Sequence, residues 1–209
     1  AFSNFANKIW NASRFVLMNI DDDFDYENVL HSSKEALTTA DYWILSKLNK
    51  LKREVTENME KFELGIAAQK IYDFIWFEFC DWYIELVKPR LYSEDAESKA
   101  IAQATLAYVL RDAIKLLHPF MPFITEEIYL HLPQVSDSIV ISQWPQYDEA
   151  FDASAEERNM EIIMEAIKGI RNIRAEMNVV PSRKSKTIII SDREEVINAM
   201  NEGTSYIQK

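Results

Sequence analysis

Glycine is nearly absent from this chain, with three residues in 209. A sheet-rich fold with many tight turns needs more, because glycine is the residue that enters positive φ at little cost. A Gly-rich phosphate cradle is excluded too, since neither GxGxxG nor GxxxxGKS/T occurs. The single cysteine, Cys80, cannot form an internal disulfide, which fits a reducing, cytoplasmic setting. No apolar run reaches the roughly 18 residues that a membrane span requires, so no membrane partner is expected. Asn4, Asn7 and Lys8 form an amphipathic start, which argues against a cleaved signal peptide. The three histidines (His31, His118, His131) are scattered, and none pairs with a Cys or another His at metal-ligand spacing. His118, just before Pro119, reads as a helix-end residue that caps carbonyls. No Ser/His/Asp order stands out, so the residues support no self-contained active site, no metal and no cofactor of the chain's own.

What remains is hydrophobic (48%), rich in aromatics (12%) and acidic, with a net charge of −11. Taken whole, that charge disfavours a generic nucleic-acid binder, which needs positive potential. Its distribution is uneven. Residues 1–20 carry Lys8 and Arg14 and no acid, and residues 166–187 carry Lys168, Arg171, Arg174, Arg183, Lys184 and Lys186 against Glu176 alone. Local basic zones on an acidic body admit a docked nucleic acid of defined shape and repel it elsewhere.

Periodicity predicts mainly α structure. A first helix runs roughly from Ser3 to Met18, with Phe2, Phe5, Ile9, Ala12 and Val16 at helical spacing. "NIDDDFDYEN" reads as an acidic loop. A long helix opens at Thr38 or Thr39, where Thr38-x-x-Asp41 is a capping box, and runs to about Glu60. Trp43, Leu45, Leu48, Leu51 and Val55 mark its buried side. A third helix spans about Glu63 to Val87 and stops before Pro89. Its centre is apolar on more than one side, as in the middle of a bundle. A fourth covers Ala96–Leu117, and a short one follows near Ile124–His131. Residues 1–133 therefore read as an up-and-down helical bundle. Residues 134–209 read as a small α/β appendage leading toward a truncated C-terminal arm: a strand in "SIVISQWP" (138–145), a helix capped by Ser154-x-x-Glu157 and reaching about Met177, a strand in "KTIII" (186–190), and a further helix at 193–202.

Two basic features bear on binding. Lys168, Arg171 and Arg174 recur every third residue as one helical ridge, with Arg183, Lys184 and Lys186 just beyond. Ile163, Ile167, Ile170 and Ile173 supply that helix's apolar side. The ridge reads equally as a solvated face, with cations favoured near a helix C-terminus, or as a phosphate contact. On the first helix, with Asn4 at zero, Asn7, Lys8, Asn11 and Arg14 fall at about −60°, 40°, −20° and −80°. The apolar side centres near about 150°, yet Phe15 falls at about 20°, inside the polar face. Donors around an aromatic suit an unstacked RNA base, which takes a platform for its π-face and partners for its edge and phosphate. The competing reading is a face that packs against a neighbouring domain.

"NFANKIWNASRFVL", "DYWILSKLN", "IYDFIWFEFCDWYIELVKPRLY", "HPFMPFITEEIY", "ISQWP" and "IRNIRAEMNVVPSRK" occur in this order. Together they resemble the region after the catalytic domain of the valyl-tRNA synthetases, a class I family, over nearly the whole chain. The isoleucyl, leucyl and methionyl families share the bundle and a looser "HPF…P…EE" pattern. The isoleucyl region is one alternative, and a helical scaffold that binds only protein is another. The resemblance implies an anticodon-binding bundle, an α/β piece and the beginning of a coiled-coil arm. It further implies valine tRNA, through its anticodon stem-loop, and the catalytic domain of the same parent chain as partners. ATP and Mg would serve the parent enzyme, whose HIGH-type and KMSKS-type motifs are absent here. The chain thus reads as a piece of a longer ligase that contributes tRNA recognition rather than chemistry. One departure is Tyr42, where the resemblance implies a basic residue between Asp41 and Trp43. Without a phosphate-cradling loop, the 209-residue chain is expected to give no valine-dependent ATP–pyrophosphate exchange above background; exchange in a pure preparation would overturn the non-catalytic reading.

Overall fold

A computed structural model describes residues 2–180 and 182–208, apart from the side chains of Phe2 and Ser3. The expectation for the Phe2 side chain therefore lies outside the described residues. The chain divides into two compact units, residues 1–152 and 153–209. Mainly helical structure is what the structure shows.

The first unit contains α1 (Phe2–Leu17), α2 (Tyr26–Ser32), α3 (Thr39–Glu60), α4 (Leu64–Asp73), a π-helical stretch (Phe74–Tyr83), α5 (Ile84–Leu91), α6 (Ala96–Leu117) and α7 (Pro122–Leu130). Phe5, Ile9, Ala12 and Val16 of α1 are buried, as their spacing predicts, as are Trp43, Leu45, Leu48, Leu51 and Val55 of α3. The second unit contains α8 (Ser154–Glu176), α9 (Glu194–Glu202) and α10 (Thr204–Ile207).

Two polar clusters lie inside the first unit. At the start of α3 the Thr38–Asp41 capping box forms, and the fully buried Asp41 does more than cap. Its carboxylate accepts from Tyr83 Oη at 2.6 Å and from Arg90 Nη1 at 2.8 and 2.7 Å. Arg90 also donates to Ser98 Oγ (2.9 Å) and to the Ser98 carbonyl (3.0 Å), so one carboxylate ties α3, the π stretch, α5 and α6. Burial first, and then the Asp41 charge, keeps the Tyr83 hydroxyl protonated well above its ordinary range. The second cluster joins α3 to α6. The buried Lys52 ammonium donates to the Asp112 carboxylate at 2.6 Å and to Tyr108 Oη at 3.0 Å, while Arg111 Nε donates to Asp112 at 2.8 Å.

Several expectations need correction. α5 does not stop before Pro89; it continues to Leu91, because proline costs little so near a helix end and Arg90 is anchored on both sides. The end of the acidic loop opens α2, capped by Asp25, whose carboxylate accepts from Asn28 N, and α2 runs beyond the loop with Tyr26 and Leu30 buried. The strands are not there: among the described residues there is no β-strand. In 138–145 the backbone turns once as a 3₁₀ helix over Ile139–Ile141. Its amides go to the Glu126 carboxylate and the Ser138 hydroxyl, leaving no ladder to build. Residues 186–190 are irregular, with Ile188, Ile189 and Ile190 exposed. β-branched residues favour a strand only where another strand supplies its hydrogen bonds. Finally, the Ser154–Glu157 box does not form. Ala153 occupies the cap position without a side-chain bond, so Ser154 already lies inside the helix.

The centre of the third helix is wound more widely than an α-helix. At its end the Ile84 amide donates to the Phe79 carbonyl, five residues back. Residues five apart then share a face, which aligns Phe74, Phe79 and Ile84, all buried.

The Lys52–Asp112 pair yields a pH test. Burial would raise the Asp112 pKa, but Arg111 and Lys52, by charge and hydrogen bonds, hold it below its ordinary 3.8. A depressed folded-state value means the stabilisation is complete above 3.8 and is lost as pH falls through it toward the lower folded value. Asp112→Asn is expected to lower stability by about 3–5 kcal/mol at pH 7, because it strands a buried ammonium. Denaturant titrations across pH should show the gap to wild type closing as the acid limb is entered; a gap independent of pH would refute the assignment.

Candidate nucleic-acid interface

α1 turns its apolar side inward and leaves Asn7, Asn11 and Arg14 exposed. The other two residues of the polar face are differently placed. Lys8 bonds to Asp81 at 2.6 Å and lies 3.8 Å from the Trp76 ring centroid. Trp76 in turn stacks on Tyr72 at 5.5 Å, and Tyr72 packs against Phe5 at 4.8 Å. Lys8 is therefore held in place by the π stretch. Phe15 is half-buried rather than fully displayed, and the ammonium of Lys88 on α5 lies 5.8 Å from its centroid. Its carbonyl accepts from Asn19 Nδ2 at 2.7 Å, which fixes the end of the helix. Phe15 thus sits at the margin where the polar face meets the packed one.

Lys88, Asp81 and Trp76 were not identified by sequence reasoning. They lie far from α1 in the chain, and no local spacing links them to it; only the aromatic-rich "FIWFEFCDWY" hinted at a packed surface there. Cys80, in the same stretch, is no nucleophile, because burial pushes its thiol up to about 12 despite nearby Lys8. His118 bonds through Nδ1 to Thr125 Oγ1 (2.8 Å), whose hydroxyl serves the Met121 carbonyl, a structural tie rather than the predicted carbonyl cap. Tyr42, at the departing position, donates to the Lys34 carbonyl at 2.7 Å, a local structural bond.

Further along α3, the chain folds an acidic segment beside cations. Asn49 clamps it by accepting from Asp148 N and donating to the Asp148 carbonyl and the Asp152 carboxylate. Arg53 lies 4.8 Å from the Tyr147 ring. The Asp152 carboxyl is held below its ordinary range by the Tyr147 hydroxyl first, then by Asn49, Arg53 and Lys50. This surface is already balanced by the protein's own acids.

In the second unit, Lys168 and Arg171 lie on the exposed side of α8, and Arg183 and Lys184 are exposed beyond it. Arg174 is turned to another task. Its guanidinium donates to the carbonyls of Val180 (3.1 Å) and Arg183 (2.9 Å), folding the following loop against the helix end. The helix itself closes in a Schellman motif, with Asn178 at φ 52° and the Val179 amide on the Arg174 carbonyl. The apolar stripe is only partly used: Ile163 and Ile167 are buried, whereas Ile173 is exposed. α9 explains the difference, since it packs near the start of α8, where Arg158 pairs with Glu195 and Gly203 approaches Ile163. A Cβ at Gly203 would come within 2.5 Å of the Ile163 side chain, so a larger residue there must displace it.

Residues 41–190 match the family described as the anticodon-binding domain of tRNA ligase. Over all 209 residues the chain is 54% identical to the valine–tRNA ligase of Clostridium perfringens (strain 13 / Type A), covering 23% of that protein. It is 50% identical to the enzyme of Clostridium tetani (strain Massachusetts / E88) over 99% of the chain and 23% of the relative. The corresponding identity to valine–tRNA ligase of Bacillus anthracis is 45%, again over 99% and 23%. The chain thus spans about a quarter of the length of the curated relatives it matches. α1 lies ahead of the family match but within the alignments to these relatives.

The geometry at the end of α8 makes Arg174 a loop anchor. Arg174→Ala is expected to speed amide hydrogen exchange at Arg183, whose N–H bonds to the Val180 carbonyl, while exchange in the middle of α8 is unaltered. Unchanged exchange at Arg183 would show that the loop holds without it.

Proposed function

The chain belongs to the anticodon-binding domain family of tRNA ligases, and from that premise we propose that it is the tRNA-recognising part of a valine–tRNA ligase. The 54% identity to a valine–tRNA ligase along the whole chain supports the valine enzyme over the isoleucine one. In this reading the parent enzyme joins valine to its tRNA with ATP and Mg, in the cytoplasm, through a catalytic domain elsewhere in the same polypeptide. The chain contributes the anticodon stem-loop site. Docking the anticodon far from the reacting atoms helps hold the tRNA 3′ end in position, a proximity effect.

The observation that carries the reading is the outward face of α1: Asn7, Asn11 and Arg14 exposed around a half-buried Phe15, with Lys8 fixed beside them. In the proposed complex Phe15 stacks on an anticodon-loop base. The amides bond base edges, and Lys8 and Arg14 meet phosphates. Lys168, Arg171, Arg174, Arg183 and Lys184 form a second, phosphate-directed zone. Arg174 acts there by shaping the loop that carries Arg183 and Lys184. A helical scaffold that binds only protein would show no salt-dependent RNA affinity, so a titration with valine tRNA separates the two classes.

Phe15→Ala decides the role of the ring. Loss of a stack costs about 1–3 kcal/mol of binding, whereas loss of a core Phe costs about 3–5 kcal/mol of stability. The expected result is a melting temperature within a few degrees of wild type and a clearly weaker complex with valine tRNA. Trp at this position should retain binding and Leu should not. A large fall in melting temperature with unaltered affinity would assign the face to packing.

A further inference from the structure

We propose that Lys88 of α5 belongs to the same RNA site, binding the phosphate of the nucleotide stacked on Phe15, and that Glu85 is the counter-ion which this phosphate displaces. The proposal rests on the reading of α1 as an anticodon-loop site and adds to it a residue from another helix. Lys88 Nζ stands over the Phe15 ring, 5.8 Å from its centroid, near the outer limit of cation–π attraction and so only loosely held there. A base lying on Phe15 has its own phosphate one sugar away, within the sweep of a flexible lysine stem.

Glu85 sits three residues before Lys88 on α5 and forms an ion pair with it; their side chains are 56% and 40% exposed. An exposed pair of this kind adds little to stability, because water solvates both partners and salt screens them. It is therefore cheap to exchange. A phosphate that replaces the carboxylate keeps the ammonium paired and releases Glu85 to water. The arrangement repeats along the face, where Lys8 is matched by Asp81 as Lys88 is by Glu85. In each case an acid of the long third helix holds a cation beside α1 until an RNA phosphate competes for it. Such pairing lowers affinity for any stray polyanion and leaves binding to one that also fills the aromatic contact.

The test is a titration of the 209-residue chain with a valine-tRNA anticodon stem-loop RNA across a salt series. Lys88→Ala should weaken binding by about 3- to 10-fold near physiological salt and flatten the log–log salt slope by about one. Lys88→Arg should restore both. Glu85→Gln should tighten binding by about 2- to 3-fold, since the competing carboxylate is gone. Both positions are surface ones, so melting temperatures should stay within a few degrees. An unchanged slope for Lys88→Ala, or unchanged or weaker binding for Glu85→Gln, would overturn the proposal. Phe15→Ala separates this failure from failure of the underlying reading. If it weakens binding while the Lys88 and Glu85 variants do nothing, Lys88 is not a ligand and the α1 site stands. If none of the three variants changes binding, the α1 site itself falls.

Discussion

The Asp41–Arg90 contact is the constraint from which the position of Lys88 beside α1 follows. A carboxylate taken fully out of water is costly unless its oxygens are filled. Here they are filled by Thr38, Tyr83 and Arg90. Because these donors come from three separate stretches, satisfying one charge fixes the start of α3, the end of the π stretch and the last turn of α5. Arg90 lies two residues beyond Lys88. The bond that buries Arg90 against Asp41 therefore also sets the height and rotation at which Lys88 meets Phe15. The surface chemistry of α1 is positioned from inside the protein.

The second cluster, Lys52–Asp112–Arg111, does the same for α3 against α6. Both clusters place opposite charges on neighbouring helices and join them through buried ion pairs. Outside, the same economy of charge recurs in weaker form. Lys8, Lys88 and the cations along α3 each lie near an acid of the protein. In a chain with net charge −11, these cations are each held locally by an acid.

Helical periodicity made much of the bundle legible. The buried residues of α1 and α3 follow the 3.6-residue repeat, and the Thr38–Asp41 box marked the true start of α3. The polar face of α1 was legible for the same reason, and Asn7, Asn11 and Arg14 do lie outward. What escaped was set by tertiary partners. Phe15 is half-buried, with the Lys88 ammonium 5.8 Å from its centroid, which no spacing within α1 discloses. "SIVIS" and "KTIII" have strand-like composition, but a strand is a pairing, and composition does not supply the other half. Arg174 sits in a regular basic ridge, yet its head group turns to carbonyls six and nine residues on. Phe62 escaped as well: it closes α3 at φ 59°, a position where glycine is the usual signal.

The π-helical stretch between Phe74 and Tyr83 has a bearing on how such a chain tolerates insertion and deletion. Residues bonded five back advance less than the about 100° of an α-helical residue, and at that winding removing one still shifts the phase of everything after it. Lys88 would swing away from Phe15, and Arg90 away from Asp41. Substitutions among its outward residues leave that phase intact. For these ten residues the number of positions is a stricter inheritance than their identity, and a lineage could rewrite much of the exposed lettering there while keeping the count.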